Sequence, residues 1–245
     1  MLCPDPANAY RAEPFNPEIM AIKLVVFDMA GTTVTDNDNV ADTLQLALKG
    51  YGCEATIDDI NKVMGLPKPI AIKTLLQQKA DNEVDDNLVN DVYNSFEEKM
   101  ISHYQQSAEV NEQDGASEVF MQLKENGIKI GIDTGFSRKV ADAIIKRLGW
   151  NEQNLVDVSV TSDEVENGRP HPDMIFKAMS LMGITDAADV AKVGDTISDI
   201  HEGSAAGCRY VIGIAGKANS AEELATGAHT HTITDIRQVT DIVLQ

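Results

Sequence analysis

The sequence of 245 residues is poor in positive charge: 20 Lys and Arg stand against 39 Asp and Glu, which gives a formal net charge of −19. An excess of negative charge this large repels phosphate backbones and anionic lipids at long range. Aromatic residues make up only 5% of the chain and form no stripe on which nucleotide bases could stack. We therefore expect no nucleic-acid or membrane partner, and any phosphate group must be bound locally.

Cysteine is also scarce, since Cys3, Cys53 and Cys208 lie far apart and are odd in number. This spacing argues against a disulfide framework or a CxxC metal site and favours a cytoplasmic location. No window reaches the roughly 18 consecutive apolar residues of a membrane-spanning helix. Residues 1–19 contain four prolines and no apolar run, which predicts an irregular N-terminal arm rather than a signal peptide.

Five short runs of apolar and β-branched residues predict the strands of a buried parallel sheet: 22–28, 128–133, 156–161, 190–195 and 209–214. Segments with apolar residues at helical spacing separate the last four runs. The alternation of strand and helix predicts an α/β fold with a doubly wound parallel sheet.

About a hundred residues separate the first run from the second, far more than one crossover helix requires. Helical patterns occupy most of this interval, near 39–51, 57–63, 68–79, 84–105 and 115–126. The last of these can serve as the crossover helix. We therefore predict a core formed by residues 20–37 and 111–245, with residues 38–110 inserted as a helical cap.

Ligands of open α/β sheets bind at the carboxyl ends of the strands. Small, acidic, hydroxyl or guanidinium residues are expected at those ends: Asp28, Ala30, Gly31, Thr32, Thr134, Gly135, Arg169, Asp195 and Asp199. Taken alone, each has an ordinary explanation as a turn or helix-capping residue. Their succession at four strand ends predicts a site for a phosphoryl group and Mg²⁺.

The carboxylates supply the predicted nucleophile and the metal ligands. Asp28 can attack phosphorus and form an acyl-phosphate, which divides a difficult hydrolysis into two steps. Mg²⁺ would relieve the repulsion between the two anions, with Asp28, Asp195 and the backbone carbonyl of Ala30 as oxygen ligands. We expect Asp199 to contribute through a water molecule.

The remaining strand-end residues are predicted to hold the phosphoryl group. Arg169 offers a planar fork to phosphate oxygens, and Thr134 offers a hydroxyl donor. Backbone amides of the loop that contains Gly31 and Thr32 add further donors, and we assign these two residues and Gly135 to substrate binding.

These motifs resemble those of the haloacid dehalogenase superfamily of phosphohydrolases: DMAGTT, TG, GRPHP and GDTISD, each after a predicted strand. The resemblance covers nearly everything from residue 22 onward and implies a magnesium-dependent hydrolase with a cap. The superfamily usually has a second Asp, a general acid and base, where this chain has Ala30. Without that carboxyl an alkoxide would leave unprotonated, which predicts phosphomonoesterase activity lower by roughly 10²–10⁴-fold.

The phosphonoacetaldehyde hydrolase branch of the superfamily has the same alanine, and FDMAGTTV and KVGDTISDIHEG resemble its segments. In that branch a cap lysine forms a Schiff base with the aldehyde, and the protonated imine accepts the electrons of the broken C–P bond. The resemblance implies this role for Lys68 in the MGLPK segment. Met64, which is near Lys68 in the sequence, is assigned to the lining of the closed site, with a place in the hydrophobic core as the alternative. The resemblance also implies a homodimer formed through the cap.

Two positions depart from that branch, which usually has histidine where this chain has Ala71 and tyrosine where it has Phe136. A second interpretation is therefore a phosphatase of small phosphomonoesters, of the sugar phosphate or phosphoglycolate type, that has replaced the missing acid. A third interpretation is a non-catalytic phosphate-binding module.

Overall fold

The computed structural model describes residues 22–79 and 84–245, so the predicted N-terminal arm lies outside the described residues. Six parallel strands form one sheet: β1 Leu24–Phe27, β2 Lys129–Thr134, β3 Val158–Thr161, β4 Val190–Gly194, β5 Tyr210–Ile214 and β6 His231–Ile233. The strand order is β3-β2-β1-β4-β5-β6. The predicted α/β fold class is confirmed.

Ten α-helices lie within the described residues: α1 Asn39–Gly50, α2 Ile57–Asn61, α3 Lys68–Lys79, α4 Asp86–Gln106, α5 Ala116–Glu125, α6 Arg138–Leu148, α7 Asp173–Met182, α8 Ile197–Ala206, α9 Ala221–Leu224 and α10 Gln238–Val243. The boundaries of β1 to β5 and of α1 to α5 fall within two residues of the predicted ones. Among the described residues, no helix has both the length and the apolar composition needed to cross a bilayer.

The first strand lies at the centre of the sheet, and all four of its residues are fully buried. Phe27 pairs with Ile132 of β2 on one side and with Val193 of β4 on the other. The residues that follow these strands are therefore level with one another at the carboxyl edge. The chain runs outward from β1 through β2 to β3 and then returns to the other side of β1 as β4. Such a reversal of strand order leaves a crevice for ligands.

Helices α1 to α4 form a segment between β1 and β2 that we call the helical insertion, residues 39–106. Helix α4 packs against both α1 and α3. The two connections to the core run side by side: the Thr35 amide donates to the Asn111 carbonyl at 3.0 Å, and the Gln113 amide donates to the Thr33 carbonyl at 2.8 Å. The predicted cap, residues 38–110, contains this insertion, and its role as a separate subdomain stays a prediction.

Candidate active site

A cavity of about 50 Å³ lies at the carboxyl end of β1, between the sheet and the helical insertion. We call it the inner cavity. The structure brings to it most of the residues that the sequence predicts for catalysis, substrate binding and metal binding: Asp28, Ala30, Met64, Lys68, Thr134, Gly135, Arg169 and Asp195. Residues from the ends of β1, β2 and β4, from the segment between β3 and α7, and from the insertion therefore converge on one space.

The predicted nucleophile, Asp28, follows β1 and is 6% exposed. Its Oδ1 accepts a hydrogen bond of 2.7 Å from Nη1 of Arg169. Burial raises the pKa of Asp28 to about 6, although the neighbouring guanidinium opposes this shift. The carboxyl group thus lies at the cavity wall, paired with a buried cation.

The guanidinium of Arg169, which lines the inner cavity, is directed at carboxylates of the protein. Nε donates to Oε2 of Glu202 at 2.9 Å, while Nη2 donates to the side chain of Asp133 and, at 3.0 Å, to its backbone carbonyl. With Nη1 on Asp28, each of the three nitrogens already has a carboxylate partner. The sequence predicts a fork for phosphate oxygens, whereas in this structure the fork holds protein carboxylates.

A second buried cation, Lys192, lies in the middle of β4 and is 0% exposed. Its Nζ contacts the carboxylate of Asp133, Oδ1 of Asp199 at 3.1 Å and Oε2 of Glu202 at 3.2 Å. We call the six groups joined in this way the buried charge cluster: Asp28, Asp133, Asp199, Glu202, Arg169 and Lys192. Four carboxyl groups share two cations in this cluster.

The buried charge cluster has fewer cations than carboxyl groups, and Glu202 shows the effect of this imbalance. Burial and the charge of Asp133 raise the pKa of Glu202 to about 8, and its Oε1 has no hydrogen-bond partner. Neither Lys192 nor Glu202 is among the residues that the sequence motifs predict for the site. The signal for Lys192 is a lysine within an otherwise apolar parallel strand. The signal for Glu202 is its three-residue spacing from Asp199, which puts both residues on one face of α8.

Asp199 closes the first turn of α8 and also belongs to the buried charge cluster. Its Oδ2 accepts hydrogen bonds from the amide and the hydroxyl of Thr196, at 3.1 and 2.5 Å. Its Oδ1 lies 3.0 Å from Nη1 of Arg169 and 3.1 Å from Nζ of Lys192. Oδ2 therefore has hydrogen-bond partners, whereas Oδ1 has two ion-pair partners and no hydrogen bond, and the role of Asp199 as a metal ligand through water stays a prediction.

Asp195 also lines the inner cavity, and two predicted substrate-binding residues lie against it. The Thr32 hydroxyl donates to its Oδ1 at 3.1 Å, and a Cβ placed on Gly31 would lie 2.1 Å from its Oδ2. The Gly31 amide donates to the Val34 carbonyl, which leaves it unavailable to a phosphate. In this structure Gly31 and Thr32 shape the position of Asp195, whereas Met64 and Gly135 line the inner cavity.

The oxygen donors at the inner cavity fit a hard divalent cation. Burial, followed by the charges of Asp28 and Asp199, raises the pKa of Asp195 well above its ordinary value, and no ion pair to Asp195 occurs among the described residues. Carboxylates of Asp28, Asp133 and Asp199 also lie within 4.8 Å of one another, but Arg169 and Lys192 already contact that group. Asp28, whose Oδ1 is paired with Arg169, Ala30 and Asp195 line the inner cavity, and their role as ligands of Mg²⁺ stays a prediction.

Lys68, the first residue of α3, brings an amine to the inner cavity from the helical insertion and is only 5% exposed. Its Nζ lies 5.4 Å from the centre of the Phe136 ring. Burial lowers the pKa of Lys68 to about 8, with a further lowering from Arg169 and opposition from Asp28, Asp36 and Asp195. An amine with this pKa is partly neutral near neutral pH and can act as a nucleophile.

The loop that carries Lys68 packs directly on the core. Gly65 has φ +82°, and a Cβ on it would lie 2.4 Å from Oγ1 of Thr196. A Cβ on Gly135 would lie 2.9 Å from the carbonyl oxygen of Leu66. Glycine at both positions allows the loop to approach the ends of β2 and β4, and this close approach buries Lys68.

Comparison with known proteins agrees with these motifs. The family model described as haloacid dehalogenase-like hydrolase matches residues 25–212. A phosphonoacetaldehyde hydrolase of Bacillus cereus (strain G9842) is 33% identical over 210 residues, which cover 80% of this chain and 76% of the relative. These two matches confirm the resemblance that the motifs predict.

Two solved structures share the fold. A phosphonoacetaldehyde hydrolase-like protein from Oleispira antarctica aligns with a TM-score of 0.79 and 21% identity over 91% of each chain. A predicted phosphoglycolate phosphatase from Haemophilus somnus aligns with a TM-score of 0.74 and 20% identity, over 90% of this chain and 97% of its own. At these identities the structures show the fold alone.

The buried charge cluster makes a prediction about stability. Replacing Lys192 by Met removes one of two cations from buried carboxylates, so we expect the free energy of unfolding to fall by about 3–5 kcal/mol. The control is Lys129→Met, because Lys129 is an exposed residue 3.7 Å from Asp157 and should cost at most about 1 kcal/mol. Urea denaturation followed by circular dichroism measures both. Equal losses in the two variants would contradict the role assigned to Lys192.

The close packing of the Lys68 loop makes a second prediction. Gly65→Ala and Gly52→Ala both place a side chain at positive φ, at a cost of roughly 1–2 kcal/mol, but nothing lies within 4 Å of a Cβ on Gly52. We expect only Gly65→Ala to push the loop from Thr196 and to raise the rate at which acetic anhydride modifies Lys68, read by peptide mass spectrometry. Unchanged Lys68 reactivity in Gly65→Ala would show that this contact does not bury the amine.

Proposed function

The chain belongs to the haloacid dehalogenase-like hydrolase family, and from this premise we propose that it hydrolyses phosphonoacetaldehyde to acetaldehyde and phosphate. The observation that carries the proposal is that Lys68 and Asp28 line the same inner cavity, where the amine is buried and its pKa is lowered to about 8. The name of the curated Bacillus cereus relative supports the same activity.

The proposed reaction begins at Lys68. The neutral amine adds to the aldehyde carbon, and loss of one water molecule leaves a protonated imine. Burial of Lys68 favours this chemistry because it destabilises the ammonium form. The imine links the substrate to α3 with its phosphonate group directed at the carboxyl edge of β1.

The second step breaks the C–P bond. The carboxylate of Asp28 attacks phosphorus, and the bonding electrons of carbon pass into the protonated imine to give a neutral enamine and an aspartyl phosphate. The leaving group needs no proton at this moment, which suits a chain that has Ala30 at the usual place of the acid. When bound by Asp28, Asp195 and the Ala30 carbonyl, with Asp199 through water, Mg²⁺ supplies charge neutralisation at the phosphoryl group.

Two hydrolyses complete the cycle. A water molecule attacks the phosphorus of the aspartyl phosphate and restores Asp28, with release of phosphate. The enamine takes a proton on carbon, and water then releases acetaldehyde from Lys68. We assign Thr134, Gly135 and Met64 to substrate contacts because they line the inner cavity. The helical insertion excludes bulk water from these steps.

The second candidate is a phosphatase of small phosphomonoesters, favoured by the two side chains next to Lys68. Phe136 is buried with its ring beside Nζ, and Ala71 is buried on the same helix as Lys68, so neither position offers a hydroxyl or an imidazole to an aldehyde. The two candidates differ in whether Lys68 forms an imine with the substrate, which the assays below detect.

The first test traps the imine. We expect borohydride and phosphonoacetaldehyde to leave a reduced adduct on Lys68, at a rate that rises with pH and levels above about pH 8, because only the neutral amine reacts and its pKa is lowered to about 8. Lys68→Arg should give no adduct, whereas the control Lys73→Arg on the same helix should react normally. No adduct together with fast turnover of phosphate esters would favour the second candidate.

The second test separates the two chemical steps. We expect a chelator, or the variant Asp28→Asn, to abolish phosphate release while the reduced Lys68 adduct still forms, because imine formation requires neither the metal nor the nucleophile. Added Mg²⁺ should restore phosphate release to the chelated wild-type protein but not to Asp28→Asn. Loss of the adduct along with phosphate release would contradict this order of events.

A further inference from the structure

Asp36 lies at the junction of two cavities. It lines the inner cavity together with Lys68 and Asp28, and it also lines a neighbouring cavity of about 290 Å³ whose wall includes Asn37 and Asp38. Asp36 itself is half-buried, whereas Asn37 and Asp38 are exposed. A carboxyl group in this position can meet the amine on one side and exchange protons with solvent on the other.

Among the described residues, three carboxyl groups line the inner cavity: Asp28, Asp36 and Asp195. Asp28 is the proposed nucleophile and is paired with Arg169. Asp195 is held by Thr32 and is a proposed metal ligand. The proposed reaction therefore leaves Asp36 as the carboxyl group of this cavity with no assigned part.

The position of Asp36 is fixed by the start of α1. Its Oδ1 accepts a hydrogen bond of 3.3 Å from the amide of Val40. Burial raises the pKa of Asp36, and the charge of Asp38 adds to this, whereas the amides of Val40 and Asn39 and the charge of Lys68 lower it. The structure thus fixes one oxygen of Asp36 by the helix.

Charged and titratable groups face Asp36 from each of the neighbouring helices: Asp38 at the start of α1, Lys68 on α3 and Tyr104 on α4. The charge of Asp36 in turn opposes the lowering of the pKa of Lys68. Asp36 and Lys68 influence each other's charge without a direct ion pair in this structure, and general acids and bases also act through an intervening water molecule.

Imine formation requires two proton transfers near the Lys68 nitrogen. The ammonium must lose a proton before it attacks, and the hydroxyl of the resulting carbinolamine must gain one before it leaves as water. Ala71, one turn along α3, has no group for either transfer, and neither has Ala30.

We propose that Asp36 is the proton-transfer residue for the Lys68 amine, an inference that rests on the proposed function. Its carboxylate accepts one proton from the Lys68 ammonium, and the neutral amine adds to the aldehyde carbon, with the amine proton moving to oxygen. The Asp36 carboxylic acid then returns its proton to the carbinolamine hydroxyl. Water leaves, the nitrogen lone pair forms the protonated imine, and Asp36 is again a carboxylate.

A purely electrostatic role of Asp36 and a proton-transfer role predict different effects of neutralising Asp36 on the rate of imine formation. If Asp36 only stabilised the Lys68 ammonium, its neutralisation would lower the pKa of Lys68 further and increase the neutral amine at pH 7. Imine formation would then be unchanged or faster. A proton-transfer role predicts that the same substitution slows imine formation at every pH.

The experiment compares Asp36→Asn with the wild-type protein from pH 6 to 9. Borohydride trapping is run with phosphonoacetaldehyde and, separately, with acetaldehyde, which needs neither the metal nor C–P cleavage. We expect Asp36→Asn to slow formation of the Lys68 adduct by roughly 10²-fold or more with both aldehydes, and Asp36→Glu to recover part of the rate. Asn retains an oxygen for the Val40 amide, so the fold should persist, as thermal unfolding will verify.

The matched control is Asp38→Asn, two residues away. Asp38 is exposed, makes no side-chain cap to α1 and has φ 67°, a conformation that Asn tolerates. It should trap either aldehyde at the wild-type rate. Adduct formation by Asp36→Asn as fast as in the wild type would overturn the proposal for Asp36. Normal trapping of acetaldehyde without phosphate release from phosphonoacetaldehyde would instead overturn the proposed function.

Discussion

Burial of four carboxyl groups around two cations is the constraint on which this site depends. Arg169 and Lys192 together join the end of β1, the end of β2, the middle of β4 and the first turns of α8. Removal of charges from water is costly, and they are tolerated only when their partners are held in place. The cluster therefore fixes the strand ends relative to one another, and Asp28 is positioned by the same contacts.

The cluster also determines where positive charge is still needed. Its two cations, Arg169 and Lys192, are already paired with carboxylates of the cluster, while Asp28 and Asp195 line the inner cavity. The approach of an anionic substrate to these carboxylates requires further positive charge. In the proposed reaction this positive charge has two sources. One is Lys68, which the close packing of its loop holds at the cavity, and the other is a divalent metal. The net charge of −19 is a property of the whole chain, and the local balance at the cavity decides which ligand can bind.

The sequence predicts the parts of the site that depend on strand ends, because a buried parallel strand is apolar on both faces and the residue that follows it lies at a known edge. Asp28, Thr134 and Asp195 are found in this way. The direction of the Arg169 fork was not predictable, since it depends on Glu202 and Asp133, which only the order of strands and the face of α8 bring within reach. The role proposed for Asp36 likewise depends on the packing of the helical insertion against the sheet, which no local sequence pattern predicts.

Ala30 and Asp36 are connected by the chemistry of the leaving group. An ester sends its electrons to an oxygen that needs a proton at once, and the usual second carboxyl stands two residues after the nucleophile to give it. In the proposed reaction the electrons of the C–P bond pass through carbon into an imine, and the need for proton transfer moves to the nitrogen of Lys68. In this reaction a carboxyl group at position 30 would have no proton to deliver to the leaving group. A carboxyl group near the Lys68 nitrogen would have one to transfer. This chain has no carboxyl group at position 30, and Asp36 lines the inner cavity together with Lys68.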